Sequence, residues 1–402
     1  MNLLIEGINS GVVIKTDISR KITIGGLTQT RPVYKIRLDK LFYNDLNDRI
    51  STWISQYKNE HNGLLPDSSD IESYNQIIEK FIVESNPKSI AETKENIRQF
   101  DQREPAVVLV DGRIIDGNRR FTCLRALANE NDRFNYLEAI IIGDRAGEDS
   151  KQIKMLELAI QHGEEGKVDY NPVDKLVGLY HDICETRLLT INEYARSANE
   201  KPSAVRKRIE VAKLMVEYLE FINAPGLYYI IRDQELVFPL EELLKMLKKC
   251  QSNDDAEDLK VCVFTNILMR TSNDMGRMVR SIKHIAESPF YEDYIEEQKE
   301  LAAELLDNLP AISSSATLKD IIIKNAPIAQ ALQRSIEKAL LKTQRNESLN
   351  RPFEILDNVS TLLSTIRPEM FDSCTNEDLV AINTKLLSIE KTISDIKALS
   401  NN

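Results

Sequence analysis

Hydrophobic and polar positions follow different patterns in the first third of the chain and in the remainder. Three short stretches, GVVIKTD, KITIGG and PVYKIRL, are rich in β-branched residues and broken by Gly and Pro, which predicts strands. A continuous apolar run at 106–110 lies between Pro105 and the pair Asp111-Gly112. It predicts a buried strand that turns back into the strand RII as a hairpin. The stretch YLEAIIIGD predicts one more strand.

Apolar residues recur at helical spacing between and after these strands. Helices are predicted in LNDRISTWISQYKNEH, YNQIIEKFIVES, KSIAETKENIRQF and RRFTCLRALANE. Beyond Ser150 strand patterns nearly vanish, and helices alternate with short polar or Pro-containing breaks. The predicted fold is therefore an α+β head, a mixed sheet with helices, followed by a mostly α-helical body.

The breaks in the pattern predict four regions along the chain. The two helices of the second region are joined by a short turn, as in a helix-turn-helix. The regions are an α/β head at 1–150 with a helical insertion at 51–85, a helix-turn-helix domain at 151–225, a helical domain of unassigned role at 226–315, and C-terminal helices at 316–402.

The last helix carries the most regular apolar pattern in the chain. Its apolar residues alternate between spacings of three and four, the heptad pattern of a coiled coil. They are Leu379, Ile382, Leu386, Ile389, Ile393 and Ile396. A second stripe runs through 353–366. The pattern leaves two expectations open, packing inside the same chain or a homodimer through the C-terminal helices.

Composition narrows the possible functions. The net charge of −11 argues against a surface that coats nucleic acid, although a local basic element is compatible with it. Five scattered cysteines without a CxxC pair argue against a zinc site or a disulfide framework, and we predict no metal-ligand set. No window approaches 18 apolar residues and no leader pattern opens the chain, so we expect a cytoplasmic protein without membrane contact.

The stretch IIDGNRRF is the main candidate for chemistry in the head. A glycine between a strand and a helix lets the backbone approach a ligand, and the first N–H groups of a helix attract anions. Arg119 and Arg120 follow Gly117 directly and carry guanidinium groups suited to phosphate. On spacing alone, an ordinary helix cap with solvated arginines is the favoured interpretation, and an anion site is the alternative.

The segment from Asn86 to Ala128 resembles the N-terminal domain of the ParB/sulfiredoxin superfamily. Gly117-Asn118-Arg119-Arg120 stands where that family has a Gly-x-(Arg/His)-Arg box, and residues 34–50 resemble its first box. The resemblance implies a bound nucleoside triphosphate, CTP or ATP, with or without Mg²⁺. The nucleotide-binding residues that it implies are Asn44, Asn47, Arg49, Asp116, Gly117, Asn118, Arg119 and Arg120.

The chain departs from the family pattern at three positions. Partition ParB proteins carry a glycine where this chain has Asp101, so the resemblance does not fix which base the nucleotide carries. Their Glu-Asn-x-x-Arg box is represented only by Glu157, because Leu158 replaces the asparagine. Asn118 takes the place of the cysteine that sulfiredoxin needs, so sulfinic-acid reductase activity is not expected.

The resemblance continues through DYNPVDKLVGLYHDI at 169–183, which is similar to the segment that leads from the ParB head into a helix-turn-helix. Thr190 is predicted to cap the first helix, and Pro202 to open the second after a turn at 198–201. The second helix would present basic residues to double-stranded DNA. The predicted DNA-binding residues are Arg196, Lys201, Ser203, Arg206 and Lys207. A solvated helix pair inside a bundle is the alternative.

Three functions remain open from the sequence. The first is a ParB-like DNA-binding protein that acts as a nucleotide-switched dimer in partition, a mobile element or defence, with slow CTPase-type hydrolysis as an open possibility. The second is a phosphotransferase or nuclease on the same head, for which Asp116 and Glu157 are the candidate catalytic carboxylates. The third is a nucleotide-free protein scaffold.

Overall fold

The structure is a computed structural model that describes residues 1–24, 27–45, 47–142, 150–163, 171–307 and 309–400. The chain divides into two compact units. The first consists of Met1–Lys283 and Glu292–Ile336, and the second of His284–Tyr291 and Glu337–Asn402. The domain limits expected at 150, 225 and 315 remain predictions.

Five strands form one mixed sheet in the first unit. They are β1 (Val13–Ile24), β2 (Leu27–Arg37), β3 (Ala106–Leu109), β4 (Ile114–Asp116) and β5 (Tyr136–Ile142). Their order is β1-β2-β5-β3-β4, and β3 is parallel to β5 while the other neighbours are antiparallel. The predicted hairpin between 106–110 and RII is confirmed. GVVIKTD and KITIGG are not two short strands, because an irregularity between Lys15 and Ser19 lets β1 continue through both.

Helices make up most of the rest of the described chain, as the sequence predicts. They are α1 (Ser51–Glu60), α2 (Ile71–Ser85), α3 (Pro87–Phe100), α4 (Asn118–Ala128), α5 (Ser150–Gly163), α6 (Pro172–Tyr180), α7 (Ile191–Ser197), α8 (Pro202–Phe221), α9 (Tyr228–Asp233), α10 (Val237–Leu247), α11 (Asn253–Leu268), α12 (Met275–Ala286), α13 (Tyr291–Leu306), α14 (Ser315–Lys324), α15 (Ala326–Ser364) and α16 (Asn376–Ser400). Among the described helices, none is both long and apolar enough to cross a membrane.

Both faces of the sheet are covered, which explains the continuous apolar run in β3. Val108 belongs to the larger core, in which side chains from α1 to α4 pack on one face. Val107 and Leu109 point the other way, into a smaller core with Ile153 and Leu156 of α5. The alternation of side chains along β3 therefore ties both helical layers to one short strand.

Two backbone positions bring α3 and α4 close to the sheet. Gly117 has φ 104°, and a Cβ there would lie 2.6 Å from the Cβ of Ala106, so only glycine fits without strain. Asp101 ends α3 with φ 57° and ψ −174°, a combination that glycine adopts far more readily than aspartate. Asp101 thus has backbone dihedral angles that favour glycine, the residue that the ParB pattern has at this position.

Helices α7 and α8 are joined by the turn at 198–201, as predicted. The Thr190 hydroxyl accepts a hydrogen bond from the Glu193 N–H, and the Glu193 carboxylate accepts one from the Thr190 N–H, which forms a capping box. Pro202 occupies the first turn of α8. Tyr194 and Val205 are buried in the small core that holds the two helices together.

The C-terminal helices expose the apolar stripes that the sequence predicts. Between residues 344 and 398, where all side chains are described, none is buried. Leu386 in α16 is 40% exposed and Leu362 in α15 is 68% exposed. The described residues of the chain therefore do not bury the heptad stripe.

Candidate anion-binding site

A cavity of about 250 Å³ lies in the first unit where the short 3₁₀ turn Asp48–Ile50 meets the ends of several helices. It brings together four of the predicted nucleotide-binding residues, Asn47, Arg49, Asn118 and Arg119. Five further polar residues line it, namely Ser85, Asn86, Asn171, Asp174 and Arg232. The polar lining thus comes from segments between residues 47 and 232 of the chain.

Three helix N-termini converge on this cavity. Asn86 caps α3 by accepting a hydrogen bond from the Ser89 N–H at 3.0 Å, and Asn171 caps α6 through the Val173 N–H at 2.9 Å. Helix α4 begins at Asn118, directly after a glycine that provides no side-chain cap. Because the N-terminus of a helix carries partial positive charge, the three ends together favour an anion.

Three arginines add full positive charge to the cavity. Burial, and then the nearby charge of Arg49, lower the pKa of Arg119. Among the described residues, the Arg119 guanidinium has no hydrogen bond or ion pair with another side chain or carbonyl. A cation held near another cation without its own carboxylate is the arrangement expected where a bound anion supplies the missing charge.

Arg232 is held in place from three sides. Its Nη1 donates a hydrogen bond to Thr52 Oγ1 at 3.0 Å, and its Nε lies 2.9 Å from Asp233 Oδ1. The guanidinium carbon lies 3.9 Å from the ring centroid of Trp53. Its Nη2 also donates a hydrogen bond to Gln56 Oε1 at 3.4 Å, so each guanidinium nitrogen has a partner in the protein. Arg232 therefore places a positive charge of fixed orientation at the cavity.

Two further lining residues, Asn118 and Asp174, carry no fixed positive charge. The Oδ1 atom of Asn118 is buried and accepts no hydrogen bond from the described residues. Asp174 is buried, and its Oδ1 accepts a hydrogen bond from the Thr52 N–H at 2.9 Å. Burial raises the pKa of Asp174 to about 7, so its charge changes near neutral pH.

The other predicted nucleotide-binding residues do not line the cavity. Arg120 donates hydrogen bonds to Asp116 Oδ2 at 2.8 Å and to the Glu104 carbonyl oxygen at 2.6 Å, so it ties α4 to the strands. Asn44 is buried, and its carbonyl oxygen accepts a hydrogen bond from the Asn47 N–H. Gly117 shapes the turn before α4 rather than lining the cavity.

The two candidate catalytic carboxylates also lie elsewhere. Asp116 is the ion-pair partner of Arg120. Glu157 is buried on α5, 3.6 Å from the Nζ of Lys154, and lines a different cavity. The carboxyl group in this cavity is that of Asp174. The sequence prediction missed it, although it lies two residues after the quoted pair Asn171-Pro172.

The predicted DNA-binding side chains lie together at the joined ends of α7 and α8. Arg196, Lys201, Ser203, Arg206 and Lys207 are all exposed. Within the described residues, none of the four basic side chains forms an ion pair, whereas the neighbouring Arg208 pairs with Glu200. The described ranges contain no group of three His, Cys, Asp or Glu side chains placed to hold a metal ion.

The size of the cavity limits what it can enclose. Sites that surround a drug-sized ligand measure roughly 300–1,000 Å³, and this cavity of about 250 Å³ is smaller. It has room for phosphate groups, while a sugar and base would extend beyond it. The arrangement can bind and orient an oxyanion through arginines and helix N-termini.

We predict that sulfate affinity falls as the pH rises through about 7, because Asp174 then becomes an anion inside an anion site. Sulfate is a suitable probe, since its own charge is constant from about pH 5.5 to 8.5 while that of a carboxyl with a pKa in this window changes. Isothermal titration across this range measures the effect. We expect a loss of roughly tenfold, about 1.4 kcal/mol.

The matched variants for this experiment are Asp174→Asn and, on the exposed face of α14, Asp320→Asn. The first should bind sulfate equally across the pH range, and the second should keep the wild-type dependence. A wild-type affinity that is flat with pH, or that rises with it, contradicts the role assigned to Asp174.

No protein-family model matches this chain, and no curated protein matches it in sequence. The charges and geometry of the cavity are the features of the molecule that bear on its function.

Proposed function

We propose that the protein is a ParB-like, nucleotide-binding DNA-binding protein of the cytoplasm. A nucleoside triphosphate, CTP or ATP, would place its phosphates against Arg49, Asn118 and Arg119. The observation that carries this proposal is the convergence of three arginines and three helix N-termini on one cavity. It is supported by the agreement between the cavity lining and four residues that the family resemblance implies.

The geometry favours binding and switching over rapid hydrolysis. The two carboxylates proposed for catalysis are engaged in ion pairs, Asp116 with Arg120 and Glu157 with Lys154, and neither lines the cavity. The cavity takes residues from the turn Asp48–Ile50, from α1 to α4 and from α6 and α9, so a bound anion would connect these segments. A ligand that contacts several segments can select one arrangement of them over another.

The first test is isothermal titration of the full chain with CTP, ATP and GTP. At least one nucleotide should bind, and Arg119→Ala should weaken it by roughly 10- to 100-fold, the loss expected for a charge-assisted hydrogen bond of about 1.5–3 kcal/mol. Arg31→Ala is the matched control, because Arg31 is exposed on β2 and hydrogen-bonds only Gln29 among the described residues.

Two results of that titration count against the proposal. One is the absence of binding for all three nucleotides at pH 6 and pH 8. The other is equal nucleotide affinity of wild type, Arg119→Ala and Arg31→Ala, which would locate binding outside the cavity.

The DNA-binding half of the proposal is supported by the exposed basic cluster at the start of α8. Basic side chains without ion-pair partners are free to contact phosphates, and each such contact releases counterions. Fluorescence anisotropy with a labelled duplex should show salt-dependent binding. Arg206→Ala/Lys207→Ala should weaken it and lower the salt slope by about 2.

The control for this measurement is Lys319→Ala/Lys324→Ala, which removes two exposed lysines from α14. It should leave duplex affinity and salt slope unchanged. If both double variants bind the duplex as wild type does, α8 is not the DNA-binding element.

A homodimer through α16 is the third part of the proposal. Its heptad stripe is exposed, and a parallel pairing of two copies would place Lys385 of one helix next to Glu390 of the other. This complementary charge pair favours a second copy of the chain as the partner. The exposed apolar side chains of the stripe would then be buried between two helices.

Sedimentation velocity distinguishes this interface from non-specific association through exposed apolar side chains. Leu386→Asp places a charge in the stripe and should convert the dimer to monomer. Leu387→Asp adds the same charge at an exposed position beside the stripe and should leave the dimer intact. A monomeric wild type, or equal behaviour of both variants, would exclude a coiled-coil dimer through α16.

A further inference from the structure

A second and larger cavity lies on the other side of the 3₁₀ turn Asp48–Ile50 in the first unit. Its volume is about 880 Å³, which falls within the range of sites that enclose small organic ligands. Its walls come from α1, α5, α6, the π-helical turn His181–Glu185 and the segment before α9. It shares no lining residue with the anion-binding cavity.

Three buried carboxylates surround one buried ammonium group in the wall of this cavity. The Nζ of Lys154 lies 2.5 Å from Asp48 Oδ1, 3.4 Å from Asp182 Oδ2 and 3.6 Å from Glu157 Oε2. Each of the four side chains is at most 4% exposed. His181 Nδ1 lies 3.4 Å from Asp182 Oδ1 as well. Even with a charged His181, two cations do not neutralise three carboxylates, and a buried charge without compensation is costly.

Two carboxylate oxygens in this wall have unused hydrogen-bonding capacity. Oδ2 of Asp48 and Oδ2 of Asp182 are buried and accept no hydrogen bond from the described residues. Although Lys154 and His181 oppose the shift, burial raises the pKa of Asp48, as expected for a carboxylate with too little positive charge around it. A positively charged group near this wall would offset the excess of negative charge on the carboxylates.

The remaining lining continues the same charge pattern. Asp45 and Glu185 add two carboxylates, while Lys58 and His181 are the only further basic groups among the lining residues. The cavity thus has five acidic and three basic side chains. Apolar walls formed by Ile54, Val177 and Leu227 lower the local dielectric and strengthen the negative potential inside.

We propose that this cavity binds a small organic cation, a compound with an alkylammonium or alkylguanidinium group. The charged group would lie against the acidic wall at Asp182 and Glu185, and the carbon chain along Ile54 and Val177. The excess of carboxylate charge selects a cation, and the combination of volume with apolar wall selects one that carries a hydrocarbon body. This site is separate from the proposed nucleotide site.

The experiment is isothermal titration of the full chain with cadaverine, a five-carbon diamine. Pentanediol serves as the uncharged ligand of similar length, and MgCl₂ as a cation without a carbon chain. Cadaverine should bind, and pentanediol and Mg²⁺ should not compete with it. Binding of pentanediol with equal affinity, binding of Mg²⁺ in place of cadaverine, or no binding of cadaverine would each overturn the proposal.

Two variants locate the binding site. Glu185→Gln changes an exposed residue that lines the cavity. It should lower the affinity for cadaverine by roughly three- to tenfold. Asp182→Asn should weaken it by tenfold or more. Glu304→Gln, an exposed change on α13, should have no effect. If Asp182→Asn does not fold, Glu185→Gln alone decides, and its unchanged affinity would contradict this location.

The failure of this proposal is distinguishable from failure of the nucleotide site. Arg119→Ala should leave cadaverine affinity unchanged, and Glu185→Gln should leave sulfate and nucleotide affinity unchanged. If Arg119→Ala abolishes cadaverine binding, the cation does not occupy a separate cavity and the proposal is wrong.

Discussion

The buried ion pair between Asp48 and Lys154 fixes the segment on which both cavities depend. It holds the 3₁₀ turn Asp48–Ile50 against α5 across a separation of 106 residues, and both side chains are withdrawn from water. Removing one partner of such a pair costs about 3–5 kcal/mol. The Asp48 carboxylate also lies so close to Gly178 that a Cβ there would be 2.3 Å from it, so α6 needs glycine at this point.

The turn divides its side chains between two environments of opposite charge. Asn47 and Arg49 line the small cavity with the arginines, while Asp48 lines the large cavity with the carboxylates. Successive residues of a tight turn point in different directions, which allows three adjacent positions to serve both sites. A change in the position of this turn would therefore alter both cavities at once.

Much of the local structure could be predicted from the sequence, because periodicity and caps act over a few residues. The run at 106–110, the Thr190 cap and Pro202 at the start of α8 are examples. Adjacent arginines show the limit. Adjacent residues on a helix point about 100° apart, so Arg119 faces the cavity while Arg120 faces Asp116. The sequence Arg-Arg alone does not show which of the two arginines lines the cavity. Arg232 joins the site only through tertiary packing of α9, for which no local pattern exists.

The conformation of Asp101 bears on how a chain of this kind is recognised. Sequence comparison matches amino-acid types, whereas the bend after α3 is a requirement on two dihedral angles. Glycine meets that requirement at least cost, but aspartate meets it here as well. A sequence pattern that requires glycine would thus not match this position, although the bend has the dihedral angles that favour glycine. The bend after α3 is therefore defined by its dihedral angles and not by the residue type at position 101.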